Sequence, residues 1–117
     1  MDEEIILVDQ SITKDELKVI ALNRFGDLVK AVVDIERGIM ALGAEMHADE
    51  EAFLLKRGSE QSNLWGINLY PDLSNEEMVE FDSMINIRPR QNNRSRSIEN
   101  QEICSLILEI VNKLVID

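Results

Sequence analysis

Four arginines in nine residues, Arg88-Pro89-Arg90-Gln91-Asn92-Asn93-Arg94-Ser95-Arg96, make the strongest chemical signal in this sequence. No acid stands between Ser83 and Ile98, so a local charge of +4 interrupts a 117-residue chain of net charge −11. Guanidinium forks grip phosphate or carboxylate bidentately. Asn93 and Ser95 add neutral donors beside them. A charge distribution this uneven marks a place for an anion to dock. The candidate ligand-binding set is therefore Arg88, Arg90, Asn93, Arg94 and Arg96, with Asn86 and Tyr70 as orienting donors. Ser97 follows as a candidate helix N-cap, where free backbone N–H groups favour negative charge. The same composition also suits a solvated loop that balances neighbouring acids.

A second reading is catalytic. His47 is the only histidine, and histidine alone has an unperturbed pKa near neutrality. Glu45, two positions earlier, and Asp34 or Asp82 across a sheet complete a general acid/base set, with arginines to stabilise a phosphoryl transition state. That is what a metal-independent ribonuclease or phosphodiesterase requires. A lone histidine just before a helix also serves as a capping or packing residue. Asp34, Glu36, Glu45, His47, Asp49 and Asp82 can be drawn as oxygen and nitrogen ligands. No spacing selects an ion, and neither H-E-x-x-H nor a cysteine set is present, so no metal is assigned. No Gly-rich phosphate loop exists, which excludes a P-loop nucleotide hydrolase, and no cofactor is implied.

The elements that must position these residues follow from periodicity. Residues 5–8 are a short apolar strand. Thr13 and Glu16 have the spacing of a capping box, with Ile12 and Leu17 as its hydrophobic staple. They open a helix over 14–24 that Gly26 stops. Residues 28–36 alternate, with Val29, Ala31, Val33 and Ile35 against Lys30, Asp34 and Glu36. Arg37-Gly38 is a turn, and 39–47 returns as an antiparallel strand with Glu45 and His47 on its polar side. A helix over 49–57 has acids in its first turn, bases in its last and Gly58 beyond. Residues 63–70 form a fourth strand, with Trp65 on its apolar side, that Pro71 ends. Residues 81–88 form a fifth, ending where Pro89 interrupts it. The last helix, 98–115, carries an apolar stripe through Ile103, Leu106, Ile107, Ile110, Val111 and Leu114.

This order, β-α-β-β-α-β-β-α, predicts a single α+β domain over 1–117: a two-layer sandwich with a mainly antiparallel sheet of four or five strands and three helices on one face. The other face then gathers Lys30, Asp34, Glu36, Glu45, His47, Asn68, Tyr70, Asp82, Asn86 and Arg88.

Composition bounds the partners. Hydrophobic residues make up 44% and charged residues 30%, with two prolines, which fits a folded soluble domain. The acidic start, Met1-Asp2-Glu3-Glu4, is unlike a secretory signal and no apolar run spans a bilayer, so a cytoplasmic location without membrane contact is expected. Duplex binders neutralise roughly 6–10 phosphates. Four arginines suit a small anionic ligand or a few nucleotides of nucleic acid instead. Cys104 falls on an apolar helical pattern and reads as a small buried hydrophobe. A protein interaction module, including a homodimer through the last helix, is the third alternative.

The strings Val32-Val33-Asp34-Ile35-Glu36, His47-Ala48-Asp49-Glu50-Glu51, Leu64-Trp65-Gly66-Ile67-Asn68-Leu69-Tyr70-Pro71 and Phe81-Asp82-Ser83-Met84-Ile85-Asn86-Ile87-Arg88-Pro89, with Asn93-Arg94-Ser95-Arg96, carry a resemblance. From about Leu17 to Val115 the chain resembles a family of short prokaryotic single-domain proteins classed as a domain of unknown function. The resemblance implies a compact stand-alone domain and brings no assigned catalytic residues.

Overall fold

A computed structural model describes residues 5–117. The Met1–Glu4 start, on which the lack of a secretory signal was read, lies outside them. The protein is α+β, with a five-stranded antiparallel sheet in the order β1-β4-β3-β5-β6. Its strands are β1 (Ile6–Val8), β3 (Val29–Asp34), β4 (Ile39–Leu42), β5 (Leu64–Leu69) and β6 (Val79–Glu80). A small parallel pair joins β2 (Ile12–Thr13) to β7 (Val115–Ile116). The helices are α1 (Lys14–Leu22), α2 (His47–Lys56) and α3 (Gln101–Leu114).

The capping box forms as spaced. Thr13 Oγ1 accepts from the Glu16 N–H at 3.0 Å, and Glu16 Oε1 accepts from the Thr13 N–H at 2.9 Å. The Thr13 hydroxyl also donates to Glu16 Oε1 at 3.0 Å, and the two bonds this carboxylate accepts from Thr13 stabilise its ionised form and hold the Glu16 pKa below its ordinary value. Leu17 and Ala21 face the core. The β3–β4 turn is built on Asp34, whose Oδ1 accepts from the N–H groups of Glu36 (2.9 Å) and Arg37 (3.0 Å). Gly38 takes the left-handed conformation, φ +69°, which the tight return demands.

Two apolar clusters lie on opposite sides of the sheet. Ala31, Val33, Met40, Leu42, Trp65 and Ile67 pack with Leu17, Ala21, Ile107, Val111 and Leu114, so α1 and α3 share one face. Val32 and Ala41, paired in register and alternating with those residues, pack instead with Phe53 and Leu54 of α2. The class, the antiparallel sheet and the order of elements are as expected, but α2 covers the second face. Its cause is legible in β3, where Val32 stands between Lys30 and Asp34 and gives the polar side an apolar centre.

Three boundaries move for local reasons. β4 ends at Leu42 because Gly43 turns the chain at φ +100°, so α2 starts at His47 rather than Asp49. The strand expected over 81–88 does not form: β6 lies just before it at Val79–Glu80, and Ser83 caps a 3-10 turn at Met84–Asn86 by accepting from the Ile85 N–H at 3.3 Å. α3 is capped by Asn100 rather than by Ser97, its Oδ1 accepting from Glu102 and Ile103 N–H groups. Leu106, placed by periodicity on the inner stripe, is exposed.

Candidate functional site

The second face is polar where α2 begins. β3 brings Lys30, and β5 brings Asn68, its partner in register. The start of α2 adds Met46, His47 and Ala48. The segment after β6 supplies Asp82, Ser83, Met84 and Ile85, and Arg96 arrives from the end of the arginine tract. Together they line a pocket of about 160 Å³.

Close approach makes the pocket. Gly66, next to Asn68 on β5, has no side chain, and Ser83 and the His47 ring occupy the space. A Cβ there would lie 2.6 Å from the Ser83 side chain and 3.2 Å from His47 Cδ2. His47 Nε2 stands 2.8 Å from the Ile67 carbonyl oxygen. A carbonyl only accepts, so Nε2 carries the proton and Nδ1 is the ring's acceptor. Burial lowers the His47 pKa, and the charges of Lys30 and Arg96 push the same way, against the opposing Ile67 bond and Asp82. The ring is therefore neutral at physiological pH.

Charge in the pocket is cationic on balance. Lys30 and Arg96 face one carboxylate, Asp82, whose Oδ1 accepts from Arg96 Nε at 2.6 Å. No side chain hydrogen bond caps the N-terminus of α2 at Met46, and that end carries the positive pole of the helix dipole. Asn68 adds a third feature. Its Nδ2 donates to Glu80 Oε1 (2.9 Å) and to the Asp82 carbonyl (3.3 Å). Its Oδ1 is buried without a partner among the described residues. Met46 and Met84, 57% and 65% exposed, give the mouth an apolar rim.

The arginine tract does not act as one patch. Arg88 turns inward, stacked 4.5 Å from the Trp65 ring centroid. It donates to the carbonyl oxygens of Gln61 (2.8 Å), Ile85 (3.0 Å) and Leu64. Desolvation lowers its pKa, partly offset by Glu51. Arg90 and Arg94 are exposed, and only Arg96 reaches the pocket. Asn93 is a loop organiser: its Nδ2 donates to the carbonyls of Asn86 (2.7 Å), Ser95 (3.1 Å) and Ser97 (2.7 Å), while Oδ1 accepts from the Glu99 N–H. Asn86 is spent on the backbone of Gly66 and the Arg96 carbonyl. Tyr70 donates to Glu80 Oε1 at 2.9 Å, and its pKa is pushed up to about 12 by desolvation and by that carboxylate.

Of the catalytic set, His47 and Asp82 share the pocket. Asp34 does not line it; its Oδ2 accepts from Ser59 Oγ at 2.6 Å. Glu45 is exposed and pairs with Arg24 at 3.3 Å. Among the described residues, no group of three or more His, Cys, Asp or Glu side chains is disposed to hold a metal ion. No helix among them is long and apolar enough to cross a membrane. Sequence reasoning left out Gly66, although an isolated glycine inside a strand signals close approach of another group.

The fold and pocket define a small α+β domain with a polar cleft at a helix N-terminus. Over residues 6–114 the chain matches the family described as Protein of unknown function (DUF5674), and it belongs to that family. No curated protein and no solved structure matches it.

Proposed function

We propose that this protein binds a small anionic ligand, bearing carboxylate or phosphate, in the pocket at the start of α2. The observation that carries the proposal is the meeting of Lys30, Arg96 and an uncapped helix N-terminus around one cleft in a chain of net charge −11. Distant carboxylates do not cancel this, because salt screens them over roughly 10 Å at 0.1 M. Arg96 exchanges its bond to Asp82 for the ligand, or holds both with its remaining donors. The Arg88–Arg96 tract contributes through Arg96 and through the loop framework built on Asn86 and Asn93. The small volume favours a compact ligand over a nucleic acid strand.

Less supports a ribonuclease or phosphodiesterase. His47 Nε2–H is engaged by Ile67, and Asp34 and Glu45 have partners elsewhere.

A thermal-shift series tests the binding proposal. Wild type, Lys30→Met and Arg96→Ala are heated with acetate, phosphate and sulfate at matched ionic strength. Ligand at 100 times its dissociation constant adds about 2.7 kcal/mol to stability. Stabilisation of wild type by one anion, weakened in both variants, is the expected outcome. Indifference of wild type to every anion rejects it.

A further inference from the structure

Asn68 states something about the ligand beyond its charge, an inference that rests on the pocket being a ligand site. The residue is only 7% exposed, and both protons of its amide are directed at acceptors, Glu80 Oε1 and the Asp82 carbonyl. Turning the amide over would set its oxygen against those two acceptors, so the orientation is fixed by its neighbours. Oδ1 is left as a buried acceptor with no donor among the described residues. His47 also lines the pocket, with its Nε2–H engaged by Ile67 and Nδ1 left as the ring's acceptor. Lys30 stands opposite Asn68 in the sheet with its ammonium 5.0 Å from the Phe25 ring centroid.

The pocket thus has two kinds of partner to satisfy. Cations and the α2 N-terminus suit an anionic group, while Asn68 Oδ1 calls for a donor. Acetate, sulfate or a fully ionised phosphate meets only the first requirement. We infer that the ligand is a compact carboxylate carrying a hydroxyl or ammonium donor beside its charge, of the α-hydroxy- or α-amino-acid class. A buried acceptor left unmet penalises the analogue that lacks the donor, which is the basis of discrimination between near-isosteric ligands.

Isothermal titration of the wild-type protein with lactate, alanine and propionate tests this without depending on any variant. Lactate or alanine binding at least about tenfold tighter than propionate is the expected result, and whichever of the two wins identifies the donor. Asn68→Leu, checked for folding by its thermal transition, removes the acceptor and is expected to bring the favoured ligand down to the affinity of propionate. Equal binding of all three by wild type overturns the inference and leaves the anion site standing. Binding of none of them, nor of phosphate or sulfate, overturns both.

Discussion

The side-chain amide of Asn86 pairs with the backbone of Gly66 as a neighbouring strand would. Its Oδ1 accepts from the Gly66 N–H at 2.8 Å, and its Nδ2 donates to the Gly66 carbonyl at 2.9 Å and to the Arg96 carbonyl at 3.0 Å. One side chain thereby ties the middle of β5 to the end of the arginine tract. Ser83 and Asn68, which line the pocket, are close in sequence to Asn86 and Gly66 respectively.

Asn86→Ala strands the buried N–H and C=O of Gly66, while the Arg96 carbonyl keeps the Ser83 N–H at 3.1 Å. Each buried group left unmet costs about 1–3 kcal/mol, and water entering the gap relieves part of it. A loss of roughly 2–4 kcal/mol is expected from urea denaturation. A change under 0.5 kcal/mol, typical of about any neutral surface substitution, would show that the tie is not structural.

Gly66→Ala drives a methyl group into Ser83 and against His47. Overpacking of this kind costs about 1–3 kcal/mol. Because Ser83 is the obstacle, Ser83→Gly in the same chain should recover part of the loss, and a double-mutant cycle measures the coupling. Additive effects of the two changes would mean that the contact does not carry the strain.

The first turn of α2 buries two titratable groups with opposite linkage to pH. His47 has a folded pKa below its ordinary 6.5, so the unfolded chain binds the extra proton first and stability is lost as pH falls below 6.5. Burial raises the Glu50 pKa well above 4.5, against the N–H of Ala44 donated to its Oε2 at 3.0 Å. There the folded state holds the proton longer, so stability is lost as pH rises from 4.5 through the folded pKa. Denaturation from pH 4 to 8 should lose its high-pH decline in Glu50→Gln and its low-pH decline in His47→Gln. Unchanged profiles in both variants would contradict the assignment.

Arg88 and its neighbours separate structure from binding. Arg88→Lys keeps the charge and loses the fork that serves three carbonyls and the stack on Trp65, so a loss of about 1–3 kcal/mol is expected. Arg90→Ala and Arg94→Ala touch exposed side chains and should change stability by no more than about 0.5 kcal/mol. Equal effects at all three positions, read by the urea midpoint, would refute the inward role of Arg88.

Local signals in the sequence were sufficient where the physics is local. The Thr13–Glu16 box and the alternation of Trp65, Ile67 and Leu69 each depend on neighbours in the chain, and each forms. Cys104, read as a small apolar residue, is half-buried and burial raises its thiol pKa. Gly43 was within reach as well, since it interrupts the strand that was carried through to His47. The site was legible only in its parts. Charge counting found the arginine tract, but the inward turn of Arg88 depends on Trp65 and on carbonyls 24 and 27 residues away. Asn86 and Asn93 were expected to orient a ligand; in the fold their amides donate to backbone carbonyls. Lys30 and Asn68 fell on the polar face, yet only the register of β3 on β5 puts them opposite each other. That register is set by tertiary packing that no single segment encodes.

Titration of the 15N-labelled protein with the tightest-binding anion, followed by amide resonances, locates the ligand. Saturable shifts concentrated at His47, Ala48 and the Asn68 side-chain amide, abolished in Arg96→Ala and retained in Arg94→Ala, are the predicted result. Shifts confined to Arg90 and Arg94, or unsaturating shifts spread over the surface, would contradict a ligand site at the start of α2.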